Sequence, residues 1–179
     1  DYVVNAAGAW AGSVAQMAGV TVAMQPTRGG MVSVAYEGLD PVLNRCRSPA
    51  DGDIVVPHRD EVVLGTTSVP VRDPDDYATP HREVETTITE CAAMLPAVAE
   101  RPIVRRWWGV RPLYAPDEND RGGRGISRGF VRLDHAADGV GNLATIVGGK
   151  LTTYRLMAES TADLVCDRLG VDAPCRTAD

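Results

Sequence analysis

The sequence predicts an α/β chain of the α+β type, in which a mostly antiparallel sheet with one helix is inserted between two pieces of a nucleotide-binding layer. Three observations lead to this prediction. Most segments rich in β-branched residues fall between residues 20 and 135. The chain begins with a strand, a glycine turn and a helix, and it finishes with a strand, a Gly-Gly pair and a helix. We therefore expect three segments, at residues 1–19, 20–135 and 136–179, with the first and last in one layer.

The chain begins with an apolar segment that predicts a buried strand at residues 2–6, and Gly8 starts the turn after it. A buried strand of this kind needs a neighbour on each side, so we expect the chain to be a fragment that starts inside a fold. A short helix is predicted at residues 9–18, where three apolar residues share one face. The β-branched runs over residues 20–36 predict strands that a proline and a Gly-Gly pair interrupt.

The middle of the chain combines a hairpin, a loop and a helix. Two apolar segments, 53–57 and 61–65, flank a polar turn and predict a β-hairpin. Residues 69–80 are acidic and contain proline, so they are predicted to form a loop. Apolar residues then recur at helical spacing from residue 81 to about residue 99, and residues 103–110 are strand-like.

The last third of the chain returns to the strand–glycine–helix pattern. Residues 115–125 are rich in Gly, Asp and Asn and predict an exposed loop. Strands are predicted at residues 130–133 and 143–147. A Gly-Gly pair follows the second strand and opens a helix that runs from about residue 152 to residue 169.

Charge and composition argue against several classes of protein. The net charge is −6 and no basic stripe is present, so a nucleic-acid partner is not expected. No apolar run approaches about 18 residues, so no transmembrane segment is predicted. The four cysteines show no CxxC spacing and are expected to be the reduced thiols of a cytoplasmic protein. The three histidines lie far apart, so no metal site is expected.

A strand, two glycines and a helix follow one another directly over residues 145–155. The glycines allow the backbone to approach a ligand, and the helix N-terminus presents unpaired N–H groups with a partial positive charge. Such a turn suits a phosphate, or the edge of a flavin that becomes anionic on reduction. Lys150, the only lysine of the chain, comes directly after the glycines. In the alternative interpretation, Thr152 or Thr153 is simply a helix N-cap.

A second candidate site surrounds Arg111, which lies in the largely apolar segment 107–114. A guanidinium in this setting needs an anionic partner. Arg128 follows the polar loop and is a candidate to converge on the same place. Two arginines together with Lys150 would suit a phosphate or a carboxylate. The alternatives are a structural ion pair for Arg111 and core packing for the neighbouring tryptophan pair.

These residues also carry a family resemblance. The chain resembles FAD-dependent glycerol-3-phosphate dehydrogenases, and specifically the catalytic A subunit of the anaerobic form. Matching stretches occur in the expected order along the whole chain. Two of them, Asn44–Arg47 and Pro174–Asp179, favour the anaerobic form over the aerobic single-chain enzyme. The stretches are Val4–Trp10, Asn44–Arg47, Asp53–Pro57, Leu64–Ser68, Gly109–Leu113, Ser127–Gly129, Leu133–Ala136, Gly148–Arg155 and Pro174–Asp179.

The resemblance implies a substrate-binding domain inserted into an FAD-binding Rossmann-like domain. It implies hydride transfer from C2 of sn-glycerol 3-phosphate to flavin N5, with dihydroxyacetone phosphate as the product. Electrons would then pass through partner subunits to membrane quinone, so the protein would be cytoplasmic and peripheral to the membrane.

The resemblance also implies roles for individual residues. By motif matching, the substrate would be bound by Arg111, Arg128 and Lys150. FAD would be contacted by two segments, with Ala7, Gly8 and Trp10 in the first and Gly148, Gly149, Lys150, Leu151 and Thr152 in the second.

Two departures from the family pattern limit these implications. The N-terminal dinucleotide-binding unit with its glycine fingerprint is absent, so FAD is expected in the parent protein and not in this fragment. In aerobic relatives a histidine follows a KGS-type turn, whereas Met31 takes that place in the segment 27–31. The general base is therefore left unassigned.

Two other functions stay open on the sequence alone. Related flavin oxidoreductases act on amino acids or 2-hydroxy acids, whose carboxylate one arginine can bind. Three cations favour a dianionic phosphate over a carboxylate. In an interpretation from another class, the chain is a non-catalytic domain that docks partner subunits through its inserted sheet.

Overall fold

The structure, a computed structural model, describes residues 1–75, 81–116 and 126–177. These residues divide into two compact units. We call the first the outer unit, and it consists of residues 1–26, 111–116 and 126–177. We call the second the inner unit, and it consists of residues 27–75 and 81–110. The domain boundaries predicted above stay a prediction, because a division by contacts does not show which pieces fold on their own.

Nine strands and three α-helices occur along the described part of the chain. The strands are β1 (Val3–Asn5), β2 (Met24–Ala35), β3 (Leu43–Asn44), β4 (Ile54–His58), β5 (Glu61–Gly65), β6 (Val69–Pro70), β7 (Ile103–Tyr114), β8 (Phe130–Asp134) and β9 (Leu143–Gly148). The α-helices are α1 (Ala11–Met17), α2 (His81–Ala92) and α3 (Tyr154–Leu169). Short 3₁₀ segments occur at Gly8–Trp10, Pro96–Glu100, His135–Asp138 and Leu151–Thr153.

The outer unit is built on a three-stranded sheet in the order β1-β9-β8. β1 runs parallel to β9 and places Asn5 opposite Thr145, whereas β8 runs antiparallel to β9. Two small residues of α1, Ala11 and Ala15, are completely buried and pack in one cluster with apolar residues of β9. Small side chains at these positions allow a short helix to lie close to the sheet.

The inner unit contains a sheet in the order β3-β4-β5-β2, to which β6 and β7 add through their own pairing with β2. Alternate residues of these strands point to one face, where they pack against α2. The resulting core is rich in valine and consists of Val32, Val34, Val55, Val62, Leu64, Val84, Cys91 and Val98.

A buried ion pair joins α2 to β2 in the inner unit. Arg28 Nη2 donates to Glu83 Oε1 at 2.5 Å, and both side chains are at least nine-tenths buried. The Thr67 hydroxyl donates to the other oxygen of Glu83 at 3.1 Å and accepts from the Gly30 N–H at 2.8 Å. The carboxylate therefore has a partner on each oxygen, as a buried charge requires.

Most of the predicted strands are confirmed. The structure has β1 within residues 2–6, the hairpin of β4 and β5 within residues 53–65, and β8 and β9 at the predicted places. The strand predicted at 103–110 is β7, which continues to Tyr114. It includes Pro112; among the described strands β7 pairs with β2 alone, and an edge strand tolerates the missing N–H of a proline.

The helix predicted at residues 81–99 is too long. α2 ends at Ala92, and a 3₁₀ segment that starts at Pro96 follows it. A proline cannot donate its N–H and disfavours helical geometry in the residue before it, and Leu95 accordingly has φ −137° and ψ 83°. The other two helices are confirmed but start later than predicted, since each is preceded by a 3₁₀ turn.

The predicted break of the strands in residues 20–36 is wrong. β2 runs uninterrupted through Pro26 and through the segment 27–31, which is extended strand and not a turn. Gly30 is needed for close packing there, because a Cβ at this position would meet Thr67 Oγ1 at 3.2 Å.

The loop predicted at residues 69–80 begins with the short strand β6, which pairs with residues 27–28 of β2. Residues 76–80 of that loop, and residues 117–125 of the loop predicted at 115–125, lie outside the described residues. Within the described part of the chain, no helix is both long enough and apolar enough to cross a membrane.

Candidate functional site

The two segments predicted to contact a cofactor lie at the same edge of the outer unit's sheet. The first, which contains Ala7, Gly8 and Trp10, follows the carboxyl end of β1, and the segment 148–152 completes and follows the carboxyl end of β9. Because β1 and β9 are parallel neighbours, the two segments leave the sheet side by side. The carboxyl edge of parallel strands is where open α/β sheets bind their ligands.

The two glycines after β9 are required by the backbone itself. Gly148 and Gly149 have φ values of 75° and 78°, in the left-handed region that favours glycine. A Cβ on Gly148 would meet the Gly129 carbonyl oxygen at 2.5 Å, and a Cβ on Gly149 would collide with the Met157 side chain. The structure thus explains both glycines without a ligand, and their predicted contact with a flavin stays a prediction.

The turn after the glycines is closed by Thr153. Its hydroxyl accepts from the Lys150 N–H at 3.0 Å and lies 2.9 Å from the Lys150 carbonyl, to which it donates. Thr153 is therefore the residue that stabilises the start of the 3₁₀ turn, whereas Thr152 is exposed. Thr153 occupies the N-cap position of α3, but its side chain makes no capping hydrogen bond to that helix and bonds back to Lys150 instead.

Two of the three predicted cations lie on neighbouring backbone segments. The Gly149 N–H donates to the Gly129 carbonyl at 3.0 Å, which joins the residue before Lys150 to the residue after Arg128. Both cationic side chains are exposed. Arg111 lies on the part of β7 that belongs to the same unit, and it is half-buried. Convergence of all three cations on one anion stays a prediction.

Apolar side chains around this edge are unusually exposed. Leu151 is 88% exposed and Tyr154 is 68% exposed. A groove of about 550 Å³ also runs between α3 and the β1–β9 strands, where Val4, Ile146 and Met157 contribute to its mainly apolar lining. Apolar surface of this extent is typical of a site that a ligand or further polypeptide covers.

Sequence reasoning missed a set of buried polar residues beneath this edge. Asn5, Thr145 and His135 are each at most 2% exposed, and the Thr145 hydroxyl lies in hydrogen-bond contact with both of the other side chains. A signal was available, because Asn5 and Thr145 are polar residues inside otherwise apolar strands. Their contact was not predictable, since 140 positions separate them in sequence.

Asp134, the last residue of β8, links β8 to α3 in the outer unit. Its carboxylate accepts from the Ala136 N–H at 3.1 Å and from the Arg168 guanidinium of α3. The hydrogen bond from Arg168, and then that from Ala136, hold the pKa of Asp134 below its ordinary value. This pair joins β8 to the helix that follows the candidate site.

The structure has all four cysteines as free thiols, and Cys46 and Cys175 are exposed. Cys91 is completely buried in the core of the inner unit, and burial raises the pKa of its thiol to about 11. Among the residues described, no group of His, Cys, Asp and Glu side chains is placed to hold a metal ion.

Comparisons with known proteins agree on one family. The family described as FAD dependent oxidoreductase matches residues 1–164. The A1 subunit of anaerobic glycerol-3-phosphate dehydrogenase from Haloferax volcanii is 48% identical over 186 residues, which cover 100% of this chain and 31% of that protein. The corresponding A subunit from Escherichia coli K12 is 44% identical over 180 residues, which cover 99% of this chain and 33% of that protein.

A solved structure supports the same relationship. The glycerol-3-phosphate dehydrogenase from Bacillus halodurans, solved in complex with FAD, aligns with a TM-score of 0.73 and 26% identity. The alignment covers 99% of this chain and 34% of that one, so the chain spans about a third of the length of the relatives it matches. The predicted α+β fold and the resemblance inferred from the sequence are both confirmed, and the chain belongs to the FAD dependent oxidoreductase family.

Proposed function

We propose that the full-length protein containing this chain oxidises sn-glycerol 3-phosphate to dihydroxyacetone phosphate with FAD as its cofactor. The names of the relatives support the substrate and the family supports the cofactor. The observation that carries the proposal is the shared sheet edge, where the turns after β1 and β9 leave the sheet side by side. When bound, FAD supplies the acceptor for the hydride that leaves C2 of the substrate.

The residues at this edge fit the isoalloxazine side of a flavin. Gly8 has φ 59°, and a Cβ there would have no neighbour within 4 Å, so the backbone of this turn can be approached closely. Trp10 and Leu151 expose apolar surface that a flat aromatic ring would cover. The exposed start of the turn at 151–152 provides backbone N–H groups that suit an anionic ring edge. We assign FAD contacts to Ala7, Gly8, Trp10 and the segment 148–152.

The phosphate of the substrate would be bound by Arg128, Lys150 and Arg111. Arg128 and Lys150 are exposed on segments that a backbone hydrogen bond joins, so both can reach a ligand at the edge of the sheet. Arg111 is half-buried, and there its planar guanidinium can make two parallel hydrogen bonds to phosphate oxygens. Several cations match a dianionic phosphate better than a single carboxylate.

The general base of the reaction stays unassigned. The hydroxyl proton of C2 needs a base, and Met31 on β2 has no basic group for that role. We propose that FAD needs further polypeptide for its pyrophosphate and ribose, so this chain alone is expected to hold no flavin. We also propose that electrons leave through partner subunits, which would hold the protein peripherally at the cytoplasmic face of the membrane.

Substitution of the two exposed cations in the full-length protein tests the phosphate assignment. Arg128→Ala and Lys150→Ala should each raise KM for sn-glycerol 3-phosphate, whereas any slow turnover of glycerol should not change, because glycerol has no phosphate. Arg132→Ala is a matched control, since Arg132 is an exposed arginine on β8 that donates to the Ser160 carbonyl. An equal loss with both substrates would contradict the assignment.

A further inference from the structure

A continuous line of hydrogen-bonding side chains crosses the interior of the outer unit. Asp138 Oδ2 lies 2.8 Å from His135 Nδ1, and His135 Nε2 lies 2.8 Å from Thr145 Oγ1. Thr145 Oγ1 in turn lies 3.3 Å from Asn5 Nδ2. His135, Thr145 and Asn5 are at most 2% exposed, whereas the Asp138 side chain is 53% exposed. The line therefore begins at the surface and ends at Asn5, the last residue of β1.

The donors and acceptors along this line follow one direction. An ionised Asp138 only accepts, so His135 Nδ1–H donates to it. In a neutral imidazole, Nε2 then accepts, and the Thr145 hydroxyl donates to it. The Thr145 oxygen is left to accept from Asn5 Nδ2–H. Each member thus fixes the orientation of the next, as connected polar networks in a low-dielectric interior do.

The Asn5 side chain makes hydrogen bonds to both ends of the turn after β1. Its Nδ2 donates to the Ala11 carbonyl at 2.8 Å, and its Oδ1 accepts from the Ala7 N–H at 3.3 Å. Rotation of the amide by half a turn would place donors against the Ala7 N–H and an acceptor against the Ala11 carbonyl, so the orientation is unique. Ala7 and Ala11 bracket the 3₁₀ segment Gly8–Trp10. Asn5 therefore holds both ends of the turn that we assign to the flavin.

We propose that Asn5, Thr145 and His135 are positioning residues that set the turn at residues 7–10 in the geometry that FAD binding requires. This inference rests on the proposed function, because it needs the turn to contact the cofactor. Burial of polar groups costs free energy unless all are paired, and apolar side chains would fill the same space without that cost. The buried polar side chains of this line therefore need a reason to be there. Their role in orienting the turn at residues 7–10 supplies that reason.

The test is made on the full-length protein with bound FAD. Thr145→Val keeps the shape of the side chain but leaves His135 Nε2 without its partner and removes one of the two hydrogen bonds that Asn5 Nδ2 donates, so that only the bond to Ala11 remains. We expect FAD affinity to fall about tenfold, with a shift of the flavin absorption band, and Thr145→Ser to restore both. Thr161→Val is the matched control, because Thr161 is also buried in this unit and its hydroxyl donates to the Met157 carbonyl at 2.8 Å.

Thr161→Val should lose about as much thermal stability as Thr145→Val. It should retain the FAD affinity and the flavin absorption spectrum of the unmodified protein. If Thr145→Val retains both as well, or if Thr161→Val loses FAD equally, the positioning role is overturned. Should Thr145→Val fail to fold, Asp138→Asn gives a second test, because Asp138 lies at the surface end of the line. It should weaken FAD binding about two- to fivefold, and an unchanged affinity would overturn the inference.

The unmodified protein separates this inference from the proposed function. If it binds FAD and oxidises sn-glycerol 3-phosphate while Thr145→Val is unaffected, only the positioning role fails. If it binds no FAD, the proposed function fails, and the positioning role fails with it.

Discussion

In the inner unit Arg28 and Glu83 form a buried ion pair between a strand and a helix, whereas in the outer unit Asn5, Thr145 and His135 form a line of hydrogen-bonded side chains beneath a turn. The Arg28–Glu83 pair is buried between β2 and α2, the strand and helix that also contribute valines to the core of the inner unit. Asn5, Thr145 and His135 lie below an edge that exposes apolar side chains and an apolar groove. The ion pair is enclosed within its unit, whereas the hydrogen-bonded line lies below an edge whose apolar surface a ligand can cover.

This difference separates residues that hold the fold from residues that shape the site. Removal of one member of a buried ion pair leaves a charge without a partner, so its effect should appear in the stability of the protein. Loss of a neutral hydrogen bond beneath a turn costs less, and its effect should appear in the ligand that the turn contacts. Substitutions at four places test this separation, from the largest expected effect to the smallest.

The largest effect is expected at the buried ion pair. Arg28→Met leaves the Glu83 carboxylate buried without its countercharge and should lower the free energy of unfolding by about 3–5 kcal/mol. Arg105→Met is the control, since Arg105 pairs with Glu61 at 3.1 Å but has a side chain that is 56% exposed, and it should cost less than about 1 kcal/mol. Urea denaturation measures both, and equal losses would contradict the assignment of the ion pair to the core.

A large effect on catalysis is expected at Arg111. In the full-length protein, Arg111→Ala should lower kcat/KM for sn-glycerol 3-phosphate by an amount equivalent to about 2–5 kcal/mol, because the phosphate loses a partly buried partner. Arg111→Lys should recover part of the loss, since it restores the charge without the bidentate geometry. Bound flavin should not change. A joint loss of melting temperature and flavin content, with KM unchanged, would identify Arg111 as a structural ion-pair residue.

A smaller effect is expected at the glycine pair. Gly149→Ala forces a side chain into a backbone with φ 78° and against Met157, so it should lower the free energy of unfolding by about 1–3 kcal/mol with or without a ligand. Gly141→Ala is the control, because a Cβ there would have open space around it. Thermal denaturation measures both variants. If Gly149→Ala leaves the melting temperature unchanged but removes FAD, this glycine serves the cofactor and not the backbone.

The smallest effect is expected at Cys91. Burial raises the pKa of its thiol to about 11, so the thiol stays protonated in the folded protein at pH values where it would ionise in the unfolded chain. Its contribution to stability is complete below the unfolded pKa of about 9 and is lost as the pH rises towards 11. The stability difference between the unmodified protein and Cys91→Ala should therefore shrink over this range. A constant difference would contradict the assigned shift.

The sequence predicted those elements whose signal is local. Two apolar segments that flank a polar turn predicted the hairpin of β4 and β5, and the apolar segment before the Gly-Gly pair predicted β9. The break predicted within β2 was wrong because Gly29 and Gly30 resemble turn residues, and only the contact between Gly30 and Thr67 shows why the strand contains Gly30. That contact joins positions 37 residues apart, so no local pattern indicates it.

For the candidate site, the sequence indicated which segments to consider but not how they lie in space. The pattern of residues 145–155 indicated a ligand-binding turn, and the structure places that turn beside the one that follows β1. The buried line from Asp138 to Asn5 could not be predicted, because it depends on which strands pair and in which register. Parallel pairing of Asn5 with Thr145 is a property of the folded sheet, and no segment of the sequence contains it.

The most direct test of the central claim is the reduction of the flavin by substrate in the full-length protein under anaerobic conditions. Addition of sn-glycerol 3-phosphate should bleach the visible flavin absorbance within one turnover, whereas glycine and a 2-hydroxy acid at the same concentration should leave it unchanged. Lys150→Ala should shift the concentration dependence of this bleaching to higher substrate. Bleaching by glycine or a 2-hydroxy acid but not by sn-glycerol 3-phosphate would contradict the account.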